Sequence, residues 1–160
     1  MKTYTQTLLI NSSPEKVFSY MDDINHTGMH MTKSSMPMFG SKLELKQVSI
    51  NPIGLDATHK WFGRIMGFRM DFTVKVTKWI KDKEKMWETI GKPKLIIMAW
   101  YRMHLFLTPK DRSTLVELSI SYTKPKSFFY RILSFLLAGW YCKWCLQNML
   151  SDSKKNLERG

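Results

Sequence analysis

The sequence predicts an α+β domain with an antiparallel sheet, on three observations. Period-two alternation of apolar and polar residues fills a block from about residue 42 to 123. Helical patterning occurs only outside that block, after Ile10 and after Pro125. Strands in a run with helices segregated to the ends are the mark of α+β architecture. The third observation is composition: 160 residues, 44% hydrophobic and 13% aromatic, enough for one buried core and unlike a disordered chain. No repeat, linker or low-complexity tract divides the chain, so residues 1–160 are read as a single domain.

Residues 3–10 form the opening strand, with Leu8 and Ile10 on one face. Ser12 and Glu15 have capping-box spacing, and Pro14 fits the first turn of a helix, where its missing N–H costs nothing. Val17, Phe18 and Met21 give that helix its apolar face. Residues 24–31 predict a second short helix, followed by a Met-rich loop ending in Pro37 and Gly40. Strands follow with Leu43 and Leu45 inward, then 57–66 with His59, Trp61, Gly63 and Ile65 on one face. Residues 68–77 alternate cleanly, Phe68, Met70, Phe72, Val74 and Val76 against Arg69, Asp71, Thr73, Lys75 and Thr77, as a strand with one dry face does. A short strand at 85–90, a long one at 94–108 and a last at 113–123 complete the block.

The 94–108 segment is apolar on both sides. Ile97, Ala99, Tyr101, Met103, Leu105 and Leu107 share one face, while Ile96, Met98, Trp100 and Phe106 share the other with Arg102 and His104. One helical layer cannot cover both faces, so Met98 and Trp100 are expected in a homodimer contact, under an extra loop, or on an exposed apolar patch.

After Pro125 a helical pattern runs to about residue 157, about 48 Å if straight. Its first half is apolar on nearly every side, with Arg131, Ser134 and Ala138 as the only polar edge. In the second half Lys143, Gln147, Asn148, Ser151 and Asp152 hold a polar face on roughly the opposite side. The swap predicts a kink near Gly139.

The stretch Ile10-Asn11-Ser12-Ser13-Pro14-Glu15-Lys16-Val17-Phe18 resembles the opening of START-like (SRPBCC) proteins. Ile53-Gly54-Leu55, Trp61-Phe62-Gly63-Arg64-Ile65-Met66-Gly67, Asp71-Phe72, Met86-Trp87-Glu88-Thr89 and Leu107-Thr108-Pro109 continue the likeness, as does the long last helix. It covers nearly the whole chain through the order and spacing of structural positions. Gly28-Met29-His30-Met31 stands where the family carries an aromatic. The resemblance implies a helix-grip fold: a curved antiparallel sheet of about six or seven strands around the carboxy-terminal helix, two short helices after the first strand, and a cavity between sheet and helix. It also implies a lipid-transfer-like or polyketide cyclase/dehydrase-like role.

Twelve methionines suit an adaptable apolar pocket, because the thioether side chain fits irregular guests. Trp61, Met70, Phe72, Tyr101 and Met103 on inner strand faces, opposite Phe129, Leu133, Leu136 and Trp140, with His59 beside them, form either the ligand-binding set or a filled core of the same residues. His59 reads first as a core histidine bonded to backbone or water, and is the one catalytic candidate for the alternative of a cyclase or dehydratase on a polyketide-like or aromatic substrate. A binder of a lipid, isoprenoid, polyketide-like or aromatic molecule ranks ahead of an enzyme. A membrane-associated or partner-binding module is the third reading.

No metal or other cofactor is expected: His26 and His30 have i, i+4 spacing, but no third ligand stands near. Cys142-Lys143-Trp144-Cys145 has redox spacing but lies mid-helix among aromatics, where packing is the simpler role. Glu88 and Glu117 read as exposed strand carboxylates. The net charge of +12 reads first as a solvated basic surface, since the basic residues are scattered with no long run; an anionic membrane surface is the secondary reading, and nucleic acid is not expected. Two cysteines and an amino terminus without an apolar core make a cytoplasmic protein the expectation.

Overall fold

The structure, a computed structural model, describes residues 1–28, 42–65 and 67–159. The elements are β1 (Lys2–Ile10), α1 (Pro14–Asp22), α2 (Ile24–Thr27), β2 (Lys42–Gln47), β3 (Thr58–Ile65), β4 (Phe68–Ile80), β5 (Glu84–Lys94), β6 (Trp100–Lys110), β7 (Ser113–Thr123) and α3 (Phe128–Glu158). Seven strands make one sheet in the order β1-β7-β6-β5-β4-β3-β2, with every neighbouring pair antiparallel. Two short helices follow β1 and the long last helix packs on the sheet, so the fold is the helix-grip that the sequence implies. The expected Met-rich loop and the end of the expected second helix lie outside the described residues.

Local chemistry explains most of these elements. The α1 cap is Ser13, one residue later than the capping-box reading: its Oγ accepts the Lys16 N–H at 3.3 Å, with Pro14 at the first helical position. Ser12 is buried instead, and its carbonyl accepts the Thr114 hydroxyl at 2.8 Å, joining the turn to β7. Along β3 and β4 the alternation holds, with His59, Trp61, Phe72, Val74 and Val76 buried on the inner face. Each such fully buried apolar side chain contributes about 1.5–3 kcal/mol.

The expectation of one strand over 94–108 is corrected. β5 runs on to Lys94 and the next strand starts only at Trp100. The β5–β6 ladder ends at Glu88↔Arg102, where Arg102 clasps the Glu88 carboxylate at 2.8 Å. Beyond that rung β5 stays with β4, pairing Lys94 with Asp71, and β6 stays with β7, pairing Trp100 with Thr123. The two strands therefore part, and the Thr89 hydroxyl bridges the start of the gap by accepting the Tyr101 N–H at 3.2 Å. Residues 95–99 cross the opening outside any strand. Because they leave the ladder, side-chain alternation does not pass through them. Met98 turns inward and is buried by the chain itself, and the Arg102 guanidinium lies 5.2 Å from the Trp100 ring centre.

The expected kink at Gly139 is also corrected: α3 is one helix of 31 residues, about 46 Å long. Its faces swap for another reason. The side chains packed on the sheet follow one i, i+4 row, Ser134, Ala138, Cys142, Leu146 and Leu150, all buried. Four residues exceed one 3.6-residue turn by about 40°, so such a row winds steadily around the helix. The small edge of the first half is what touches the sheet, and Phe128, Ile132, Phe135 and Leu136 of the greasy side are exposed. Gly139 answers a close approach: a Cβ there would stand 2.7 Å from the Tyr4 hydroxyl oxygen of β1.

Candidate functional site

Between α3 and the concave face of the sheet lies a cavity of about 260 Å³. An apolar void of about 150 Å³ stays dry and takes a benzene ring, so this one has room for a larger guest. Four parts of the fold wall it. The sheet supplies Trp61 and Ile65 from β3, Phe68, Met70 and Phe72 from β4, Trp87 from β5, Tyr101 and Met103 from β6, and Ile120 from β7. The helix supplies a second i, i+4 row, Phe129, Leu133, Leu137, Tyr141, Cys145 and Met149, lying beside the sheet-packing row, with Trp140 at its edge. The crossing segment adds Leu95, Ile96, Ile97 and Met98, and the α2 corner adds Ile24, Thr27 and Gly28.

Trp61, Met70, Phe72, Tyr101, Met103, Phe129, Leu133 and Trp140 of the sequence-derived set thus come together on one cavity wall. Two members stand elsewhere. His59 is buried on the same strand face as Trp61, one inward position farther along, and is not among the lining residues. Leu136 points away from the cavity, 64% exposed, because it belongs to the outer row of α3. The lining residues outside that set are the strand positions Ile65, Phe68, Trp87 and Ile120, the 95–98 segment, the α2 corner and, last, the deeper half of the helical row. The i, i+4 spacing of Phe129 to Met149 is a signal that could have found the last of these.

The electrostatics are those of a neutral, apolar site. Among the described residues, no carboxylate, imidazole, amine or guanidinium lines the cavity. Its ionisable groups are phenols and a thiol. Burial pushes the Tyr101 and Tyr141 phenols and the Cys145 thiol up, and the Tyr141 hydroxyl and Cys145 thiol hydrogen-bond each other. All three keep their protons near neutral pH and act as weak polar handles. Cys142 is buried in the neighbouring row with its thiol pushed up to about 12, so both cysteines are free and inert. The His59 imidazole is held below its ordinary range by burial first and by the Lys85 charge second. The Glu117 side chain is exposed, and Glu88 is engaged by Arg102. The His26 ring stacks on Tyr20 at 4.1 Å, and among the described residues no cluster suits a metal ion. His30 lies outside them.

The α2 corner is fixed by a buried ion pair. Lys85, on the inner face of β5, places Nζ 2.8 Å from Asp22 Oδ1 at the end of α1 and donates to the Asp22 carbonyl at 3.0 Å. The Oδ1 contact is an ionic one without an aligned hydrogen bond. The Trp79 indole N–H donates to Asp22 Oδ2 at 3.0 Å, and Nζ stands 5.1 Å from the Trp87 ring centre. Desolvation lowers the Lys85 pKa against the opposing pull of Asp22. The pair ties the helical corner to the sheet, and with it the end of the cavity formed by Ile24, Thr27 and Gly28.

Gly28 leaves room for the Trp61 ring. A Cβ there would collide with Cη2 of that ring, with Cζ2 at 2.6 Å and the Ile24 carbonyl oxygen at 2.8 Å. Gly28→Ala is therefore expected to destabilise by about 1–3 kcal/mol, the usual cost of overpacking, read as a lower thermal midpoint. An unchanged midpoint would show that the Trp61 ring is not held where the structure places it.

No protein-family model matches the chain, and no curated protein matches it. Solved structures do. A Thermus thermophilus protein superposes with a TM-score of 0.71 at 14% identity, covering 99% of this chain and 98% of that one. A Thalictrum norcoclaurine synthase, solved as a point mutant with a transition-state analogue, gives 0.65 at 16% identity over 99% and 94%. The major latex-like protein of Panax ginseng gives 0.60 at 12% identity over 98% and 97%. The structural neighbours are START-like (SRPBCC) proteins, and at these identities the likeness is one of fold.

Proposed function

We propose that this helix-grip domain binds a hydrophobic small molecule, of lipid, isoprenoid, polyketide-like or aromatic type, in the cavity between its sheet and α3. The observation that carries the reading is the void itself: about 260 Å³, walled by aromatic, aliphatic and methionine side chains rather than filled by them. A sequence that needed only a packed core would close such a space, since each unfilled cubic ångström costs stability. The volume falls just below the usual range for ligand pockets, which favours a compact ring system or a single short chain over a two-chain lipid. A guest hiding about 250 Å² of apolar surface gains roughly 6 kcal/mol gross, before the costs of association. The Tyr101 and Tyr141 hydroxyls and Thr27 are the groups that would orient it.

The cyclase or dehydratase alternative finds less support. A norcoclaurine synthase among the structural neighbours indicates that this fold can host catalysis. General acid–base work needs a positioned pair with pKa values near the working pH, and the described wall carries phenols and a thiol that stay protonated.

Titration with the neutral apolar fluorophore N-phenylnaphthylamine tests the proposal. Saturable enhancement is expected, displaced by some members of a panel of fatty acids, isoprenoids and aromatic compounds. No saturable signal, with no thermal shift from any panel member, would refute it.

A further inference from the structure

The outer side of α3 is apolar where a helix on a sheet is ordinarily polar. Phe128 and Phe135 are 80% and 78% exposed, and Ile132, Leu136 and Trp140 are exposed beside them. At 100° per residue these five side chains fall within one broad stripe along the first three turns. Isolated exposed hydrophobics are common, but a contiguous stripe of five aromatic or large aliphatic side chains marks a contact surface.

The charge around the stripe says what it contacts. Between Glu117 and Asp152 the sequence has no acidic residue and four basic ones, Lys124, Lys126, Arg131 and Lys143. A groove of about 300 Å³ runs beside the stripe, where Lys2, Lys124 and Lys143 stand around Phe135, Leu136 and Trp140. None of the ion pairs found among the described residues uses these lysines or Arg131. A second copy of the chain would bring two such cationic rims together at a net charge of +12 each, which opposes pairing. An apolar stripe edged by lysines is complementary instead to a bilayer interface, with acyl chains below and anionic headgroups around. No helix among the described residues is long and apolar enough to cross a membrane, so the contact is one of lying on the surface.

We propose that the amino-terminal half of α3 is a docking face for anionic lipid membranes. Phe128, Ile132, Phe135 and Leu136 enter the interface, and Lys2, Lys124 and Lys143 meet the headgroups. Phe129 and Trp140 line the cavity and are also more than half exposed, so the docked face adjoins the cavity's helical wall. Docking stands on the surface alone and does not depend on the cavity holding a guest.

Co-sedimentation with vesicles tests it. Vesicles of phosphatidylcholine and phosphatidylglycerol in equal parts are expected to pellet the protein at low salt at least about fivefold better than phosphatidylcholine alone, the worth of a single basic residue at an anionic surface, with release as salt rises. The double variant Phe128→Ser/Phe135→Ser, and separately Lys124→Glu/Lys143→Glu, are expected to lose most of the bound fraction. The Phe128→Ser/Phe135→Ser protein should keep N-phenylnaphthylamine binding, since neither residue lines the cavity, which separates this inference from the ligand-binding one. Absence of binding to the anionic vesicles at low salt, or binding indifferent to both variants, would overturn it. So would a dimer in solution that the Phe128→Ser/Phe135→Ser variant dissociates, which would assign the stripe to a second copy.

Discussion

Replacing Asp22 by Ala is expected to cost about 3–5 kcal/mol of folding stability at neutral pH, the penalty for leaving one member of a buried ion pair alone. The Lys85 ammonium then keeps the backbone carbonyl of residue 22, the Trp87 ring and the more distant Asp23 charge, and the Trp79 N–H loses its acceptor. The pH dependence has a definite sign. The folded-state pKa of Lys85 is already lowered, by burial first, and loss of Asp22 lowers it further. Between that depressed value and the unfolded value of about 10.4, the unfolded chain binds more protons, so stability rises with pH through this window. Asp22→Ala should thus recover part of its loss as pH increases, more steeply than the parent. Asp22→Leu with Lys85→Met should cost less than Asp22→Ala alone, because no charge stays buried. Denaturant unfolding across pH checks both statements, and a loss below about 1 kcal/mol would mean that the pair does not anchor the helical corner.

Met103→Trp is expected to abolish ligand binding while leaving the fold intact. Met103 is buried at the middle of β6, paired with Ile120, and faces the void. An indole there occupies space that a guest would need. Affinity for N-phenylnaphthylamine should fall at least about tenfold, or ~1.4 kcal/mol. Because the added atoms enter empty volume, the thermal midpoint should hold or rise, as cavity-filling changes commonly do by about 0.5–2 kcal/mol. Unchanged affinity would place the fluorophore elsewhere, with the exposed stripe of α3 as the obvious alternative.

Where one face of a strand is dry and the other wet, the fold was legible. The alternation from Phe68 to Thr77 reads directly as β4 because each side chain meets a uniform medium. The reading went astray where that uniformity ends. Residues 95–98 are apolar without being a strand, since they line a void, and a run of apolar side chains carries no mark that tells a covered ladder from a loop over a cavity. On α3 the small residues Ser134 and Ala138 resemble a solvent edge, yet they are the contact surface, because only small side chains let the helix lie close to the sheet. The greasy side then divides, Leu133 and Tyr141 turning to the cavity while Phe128, Ile132, Phe135 and Leu136 are exposed. Much of the cavity wall could be read from inward strand positions such as Trp61, Phe72 and Met103. The link between Asp22 and Lys85 could not, since the two residues are 63 positions apart and each reads alone as an ordinary surface charge.

A crystal structure of the protein grown with N-phenylnaphthylamine would show where the guest sits. Density for the fluorophore is expected inside the space bounded by Trp61, Met103, Tyr141 and Met149. A cavity closed over by those side chains, or a fluorophore seated only on the outer face beside Phe135, would contradict that placement.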